Sequence, residues 1–213
     1  MENKKTTSKS FHDPANVTEE QLSLLDRAVI FAVKAHTGSF RKSSGTPYIV
    51  HPMEAASIAA AVSCGLSPEE RQNVIAAAAL HDVLEDTGAT EETVEALFGK
   101  EVLRLIKSDS EKKRPELPSS ETWQIRKEET IDFVKNRATL DEKMVIFADK
   151  LSNMRSIHQD YRRIGDELWN RFNVKDKAKH GWYYKSFIEN MKEFEGEPAF
   201  EEYKEKCAEV FGE

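Results

Sequence analysis

Residues 81–86 read His-Asp-Val-Leu-Glu-Asp, one imidazole and three carboxylates in six positions. On a helix, residues four apart share a face, so His81 stands above Glu85 and Asp82 above Asp86. Carboxylates crowded at the end of an apolar helix repel one another, and burial raises that cost unless a cation compensates. A divalent metal ion supplies the compensation. An imidazole nitrogen beside a hard carboxylate oxygen suits Mn²⁺, Fe²⁺ or Zn²⁺ more than Ca²⁺. Alone, however, the pair reads as an exposed, charged helix end ahead of a Thr87-Gly88 turn.

Two distant residues change that reading. His51 stands just before Pro52 at a helix start, and Asp149 interrupts the apolar run Ile146-Phe147-Ala148 where a helix would otherwise continue. A carboxylate in such a run needs a partner. Each has a bland explanation by itself, a helix-cap histidine and a salt-bridged aspartate. Together with His81 and Asp82 they make a four-ligand set.

The elements that must position these residues are helical throughout. Thr18-Glu19-Glu20-Gln21 fits a capping box, and Leu22, Leu25, Val29, Ala32 and Val33 follow at helical spacing. His36 to Val50 breaks the period with glycines, serines and Pro47 and reads as a loop. A second helix starts about Pro52 and runs to Gly65. A third opens on Ser67-Pro68-Glu69-Glu70, a cap residue, a first-turn proline and acids at the positive helix end, and carries an alanine run into His81. Thr90 to Phe98 is expected to be helical, with Gly99 as its C-terminal cap. Ser108 to Ser120 is polar with two prolines and reads as the longest surface loop. Helices are expected over Thr122–Arg137, Leu140–Ile157 (opened by the capping box Thr139–Glu142), about Val174–Phe194 and Pro198–Phe211. No sheet-like alternation or internal repeat occurs, so the fold class is all-α.

The composition bounds the rest. A 213-residue chain can bury one good core, so residues 1–17 are expected as a flexible tail and 18–213 as a single domain. A net charge of −7 argues against nucleic acid as the main partner, although a local basic cluster or a metal ion can still bind phosphate. The two distant cysteines, Cys64 and Cys207, suggest neither a disulfide framework nor a thiolate metal site. The Lys/Ser/Thr-rich start is neither a signal peptide nor a membrane span, and a cytoplasmic protein is expected.

The order His51 … His81-Asp82 … Asp149 resembles the HD superfamily of metal-dependent phosphohydrolases, whose fold is a helical bundle. The stretches from Arg41 to Pro52, from His81 to Thr87 and from Ala148 to Arg155 are similar to the hydrolase domain of RelA/SpoT-type proteins. That resemblance covers roughly residues 22–160 and implies a stand-alone small alarmone hydrolase that removes the 3′-pyrophosphate of (p)ppGpp. It further implies that His51, His81, Asp82 and Asp149 hold one Mn²⁺. Glu85 and Asp86 would orient or deprotonate the attacking water, and Arg41, Lys42, Asn153 and Ser156 would contact the nucleotide. Ser39 departs from the pattern, which has glutamine there. His36 is read as structural. The aromatic segment around Trp169, Phe172, Trp182 and Tyr183 is read first as core, with Tyr183 and Lys179 as an alternative phosphate or ribose wall. Two other functions fit the same residues: a nucleotidase or phosphatase acting on another phosphorylated nucleotide such as NADPH, and a module that binds alarmone without cleaving it. The second predicts loss of ligands or of Glu85-Asp86, and all are present.

Overall fold

The computed structural model describes residues 16–41 and 44–212. Lys42 and nearly all of the expected N-terminal tail lie outside these. The α-helices are α1 (Leu24–Ala35), α2 (Val50–Val62), α3 (Pro68–Leu80), α4 (Val83–Asp86), α5 (Glu91–Phe98), α6 (Lys100–Asp109), α7 (Ser119–Asn136), α8 (Leu140–Ile164), α9 (Lys177–Asn190) and α10 (Pro198–Phe211). Among the described residues there is no strand, only an isolated bridge between Phe40 and Pro47. The fold is all-α.

The centre is a trio of helices, α2, α3 and α8, packed on one another, with α1 and α6 against α3. The alanine run makes this possible: Ala76 to Ala79 are all buried, and with nothing beyond Cβ they let neighbouring helix backbones come close. In α8 every residue from Glu142 to Ser152 is buried, so this helix passes through the middle of the molecule. At the far end, Phe147 of α8 stacks on Phe194 and meets Phe200 and Tyr203 of α10, docking the last helix. No described helix is long and apolar enough to cross a membrane.

Several boundaries differ from the sequence reading. The Thr18 capping box forms but opens only a 3-10 turn, Glu19–Gln21; α1 starts at Leu24, capped by Ser23 and Asp26. Val33 consequently faces solvent, and Ala28 and Ala32 take the buried face. An unanticipated helix, α6, begins immediately after α5, and α7 starts three residues earlier than expected. The expected loop therefore shrinks to 110–118. Helix α8 runs to Ile164, because nothing interrupts its period until Gly165, whose φ of 57° ends it. The Thr139–Glu142 capping box forms as read, Ser67 caps α3 as expected and forms a capping box with Glu70 besides, and α10 has the expected bounds.

Candidate metal centre

The site assembles where α2, the end of α3 and the middle of α8 meet. His51 lies in the first turn of α2, delivered by a loop folded back on itself: Arg41 N–H donates to Thr46 O, Tyr48 N–H to Ser39 O, and His51 N–H to Tyr48 O. Gly45, with φ at 67°, permits the reversal. His81 is the C-cap of α3 and Asp82 the N-cap of α4, so the chain bends between Leu80 and Val83. Residues 81–86 are thus not one continuous helical face, a correction to the expected stacking of His81 above Glu85. The bend turns Asp82 back onto its neighbour, with Oδ2 2.8 Å from His81 Nε2. Asp149 enters from α8, its Oδ1 3.0 Å from His51 Nε2 and 3.4 Å from His81 Nε2.

The two imidazoles face each other, Nε2 to Nε2, at 3.1 Å. One donor atom from each of His51, His81 and Asp149 lies within 4.8 Å of the others, a spacing that can hold a metal ion. Asp82 stands beside this trio, its Oδ2 3.5 Å from His51 Nε2. The opposite ring nitrogens explain the orientation. His81 Nδ1 is 2.8 Å from Ala78 O, and a carbonyl only accepts, so Nδ1 carries a proton and the ring in its neutral form turns a lone pair inward. His51 Nδ1 is 2.8 Å from Ser152 Oγ, whose own proton goes to Glu54 Oε2 at 2.7 Å. His51 Nδ1 must then be the donor, and its Nε2 also points a lone pair at the centre.

Two facing lone pairs among buried carboxylates call for positive charge. Burial disfavours the imidazolium of His81, but Asp82 and Asp149 outweigh it and hold the pKa well above the usual histidine value. Burial disfavours ionised Asp149, yet Lys150, His51 and His81 hold its carboxyl well below the ordinary range; His81 and His51 do the same for Asp82. Lys150 Nζ binds Asp149 Oδ2 at 2.5 Å and Asp109 Oδ1 at 2.9 Å. Burial pushes the Asp109 carboxyl up to about 6. A cavity of about 220 Å³ above the centre is walled by Asp82, Glu85, Asp109, Glu111 and Asp149, against Lys127 and Lys150. Five carboxylates face two ammonium groups. The residues present fit a divalent cation in donor type, tautomer and charge.

The paired acids separate. Glu85 reaches the same cavity, with Oε1 accepting from Glu111 N–H at 2.7 Å, and burial raises its pKa. Asp86 is exposed and lines a second, larger cavity. Tyr48 joins them, donating its hydroxyl to Asp82 Oδ2 at 2.6 Å, with Asp86 Oδ2 at 3.5 Å. Lys113 lies near both acids, 3.6 Å from Glu85 Oε2 and 3.4 Å from Asp86 Oδ1.

The larger cavity, about 510 Å³, contains Arg41, Asn153 and Ser156 in its wall, and it shares Tyr48, Asn153 and Tyr184 with the smaller one. Arg41 Nη1 donates to Asn153 Oδ1 at 3.2 Å, and Asn153 Nδ2 donates to Asp149 Oδ1 at 2.6 Å, so the cavity wall is bonded to the centre. The structure thus gathers every expected site residue it describes. His36 is buried, its ring centroid 4.8 Å from that of Tyr48, and also borders the larger cavity. Tyr183 is a core residue under Lys127, as first read, and it also lines the smaller cavity. Lys179 is exposed and borders neither cavity. The sequence reading passed over Tyr48, Glu54, Asp109, Glu111, Lys127, Lys150 and Ser152. Of these, only Lys150 carried a signal, as a second charge in the same apolar run as Asp149.

The HD domain family matches residues 28–174. The chain is 32% identical over 151 residues to the GTP pyrophosphokinase rsh of Brucella ovis, a match spanning 68% of this chain and 19% of that protein. It is 43% identical over 93 residues to the bifunctional (p)ppGpp synthase/hydrolase SpoT of Escherichia coli K12, spanning 43% of this chain and 12% of that one. The chain therefore spans about a fifth or less of the length of these curated relatives. Among solved structures, a metazoan orthologue of SpoT, described as hydrolysing ppGpp and acting in starvation responses, superposes with a TM-score of 0.62 at 26% identity, covering 89% of this chain and 94% of that one. The protein lmo0812 of Listeria monocytogenes EGD-e gives a TM-score of 0.62 at 31% identity, covering 76% and 99%.

Proposed function

The chain belongs to the HD domain family, and from that premise we propose that it is a Mn²⁺-dependent hydrolase of guanosine 3′,5′-bis(diphosphate). The observation that carries this is the pair of inward-turned imidazoles with Asp149 and Asp82, opening through Tyr48 and Asn153 into a cavity large enough for a nucleotide. Likeness to the SpoT hydrolases supports the substrate. In this reading His51, His81, Asp82 and Asp149 are the ligands of one ion. When bound, the ion supplies Lewis-acid polarisation of the phosphoryl oxygen and acidifies a nearby water.

The protein's own groups do the remainder. Glu85, held by the Glu111 N–H, accepts the proton of the attacking water. Water oxygen adds to the phosphorus bonded to O3′, the O3′–P bond breaks, and O3′ leaves with a proton from solvent. The products are GDP and pyrophosphate. Asp86, beside Lys113 and Tyr48, orients the water. Arg41 presents a planar guanidinium to the base, Asn153 and Ser156 bond to the nucleotide, and Lys42 joins Arg41 there. We take residues 18–213 as one domain and the protein as cytoplasmic, in keeping with its unpaired Cys64 and Cys207.

The test is incubation of purified protein with ppGpp and Mn²⁺, resolving GDP and pyrophosphate. Asp149→Ala is expected to lose both bound Mn²⁺ and turnover. Orthophosphate released from a 2′-phosphorylated nucleotide such as NADPH, with ppGpp untouched, would overturn the substrate but not the centre. Full turnover by Asp149→Ala would overturn the centre.

A further inference from the structure

The two inward-facing histidines are fixed by different means. His81 Nδ1 donates to a backbone carbonyl, Ala78 O, which no side-chain substitution can remove. His51 has no such anchor. Its Nδ1 meets only the Ser152 hydroxyl, which is fully buried and passes its own proton to Glu54. A hydroxyl has one proton. With that proton committed to a carboxylate that can only accept, the oxygen facing His51 must accept, so Nδ1–H and an open Nε2 follow. Glu54 is held in turn by Arg155, whose Nη1 donates to Oε1 at 3.0 Å, while the same guanidinium grips Glu202 of α10 through Nε at 2.8 Å and Nη2 at 2.6 Å.

The spacing is regular. Glu54 lies three residues after His51 on α2, and Ser152 three residues after Asp149 on α8, so each helix presents a candidate ligand and its support on one face. We infer that Glu54, acting through Ser152, is a positioning residue for His51, setting the tautomer and ring orientation in which His51 offers Nε2 to a metal. This rests on the metal reading given under Proposed function. A purely structural bridge between α2, α8 and α10 would need only Glu54, Arg155 and Glu202. The buried serine between Glu54 and the imidazole has no part in such a bridge.

The experiment measures Mn²⁺ affinity by competition with a fluorescent chelator, and thermal midpoint without metal, for the full chain. Ser152→Ala is expected to weaken Mn²⁺ binding by about 10–100-fold, the usual effect of removing a partner of a ligating histidine. Ser152→Thr, which keeps a hydroxyl, should recover most of that loss. Glu54→Ala, at a partly exposed position that spares the core, should weaken Mn²⁺ in the same direction. Arg155→Met should lower the thermal midpoint yet change Mn²⁺ affinity far less than Ser152→Ala. Folded Ser152→Ala and Glu54→Ala proteins that bind Mn²⁺ as wild type does would overturn the relay and leave the centre standing. A wild-type chain that binds no Mn²⁺ would overturn both.

Discussion

Glu85 shows how placement converts an ordinary carboxylate into a candidate base. Burial raises its pKa above the usual 4.5, and the Glu111 N–H and Lys113 only partly offset this. A base must be deprotonated to accept a proton, so turnover is expected to fall on acidification, along a limb that Glu85→Gln abolishes. Glu85→Gln should lose about 10²–10⁴-fold in kcat while retaining Mn²⁺; a kcat–pH series with parallel metal titration checks both. The candidate ligands were legible because histidine and aspartate stand out in apolar context. Ser152 and Tyr48 were not, since a hydroxyl in a helix or loop is common and its role depends on which chain faces it. Consecutive residues on a helix point in different directions, so Glu85 and Asp86 had to separate, but which of them faces the centre depends on the bend at His81-Asp82, which no residue type announces.

Among the elements, the segment 110–118 has the clearest functional role. Glu111 is tied to α7 by Arg126 and by Lys127 Nζ at 2.5 Å, and this anchoring brings its N–H to Glu85. Glu111→Ala should release the segment and lower kcat at least tenfold, about the cost of one lost hydrogen bond to a charged group, with little change in KM. Steady-state kinetics on ppGpp distinguish this from a binding defect, which would raise KM instead. The sequence reading treated Ser108–Ser120 as loop and missed α6. One glycine accounts for the miss. Gly99, at a φ of 88°, ends α5 and starts α6 with no intervening linker, so a residue that signals a helix end also conceals a helix start. Helices opened by capping boxes, α3 and α8, were legible at their beginnings, where side chains satisfy backbone donors. The end of α3 carries no such signal, since His81 there keeps a helical backbone.

At the scale of the molecule, the candidate ligands come from positions 51, 81, 82 and 149, on segments far apart in sequence that meet only in the folded chain. An unfolded chain cannot reproduce that arrangement, so an ion bound there stabilises the native state by mass action, about 2.7 kcal/mol at a hundredfold excess over its Kd. Mn²⁺ should raise the thermal midpoint of the wild type and leave that of Asp149→Ala unmoved, as calorimetry with and without chelator would show. The all-α class was legible from period and the burial of α3 from its alanine run, whereas the convergence of α2, α3 and α8 on one point was not. The same convergence bears on the protein's lifetime. Proteases cut chains that open, and metal withdrawal would increase the open fraction. A cell starved of the ion would then clear the enzyme itself as well as silence it, so nutrient metal would set abundance and activity together.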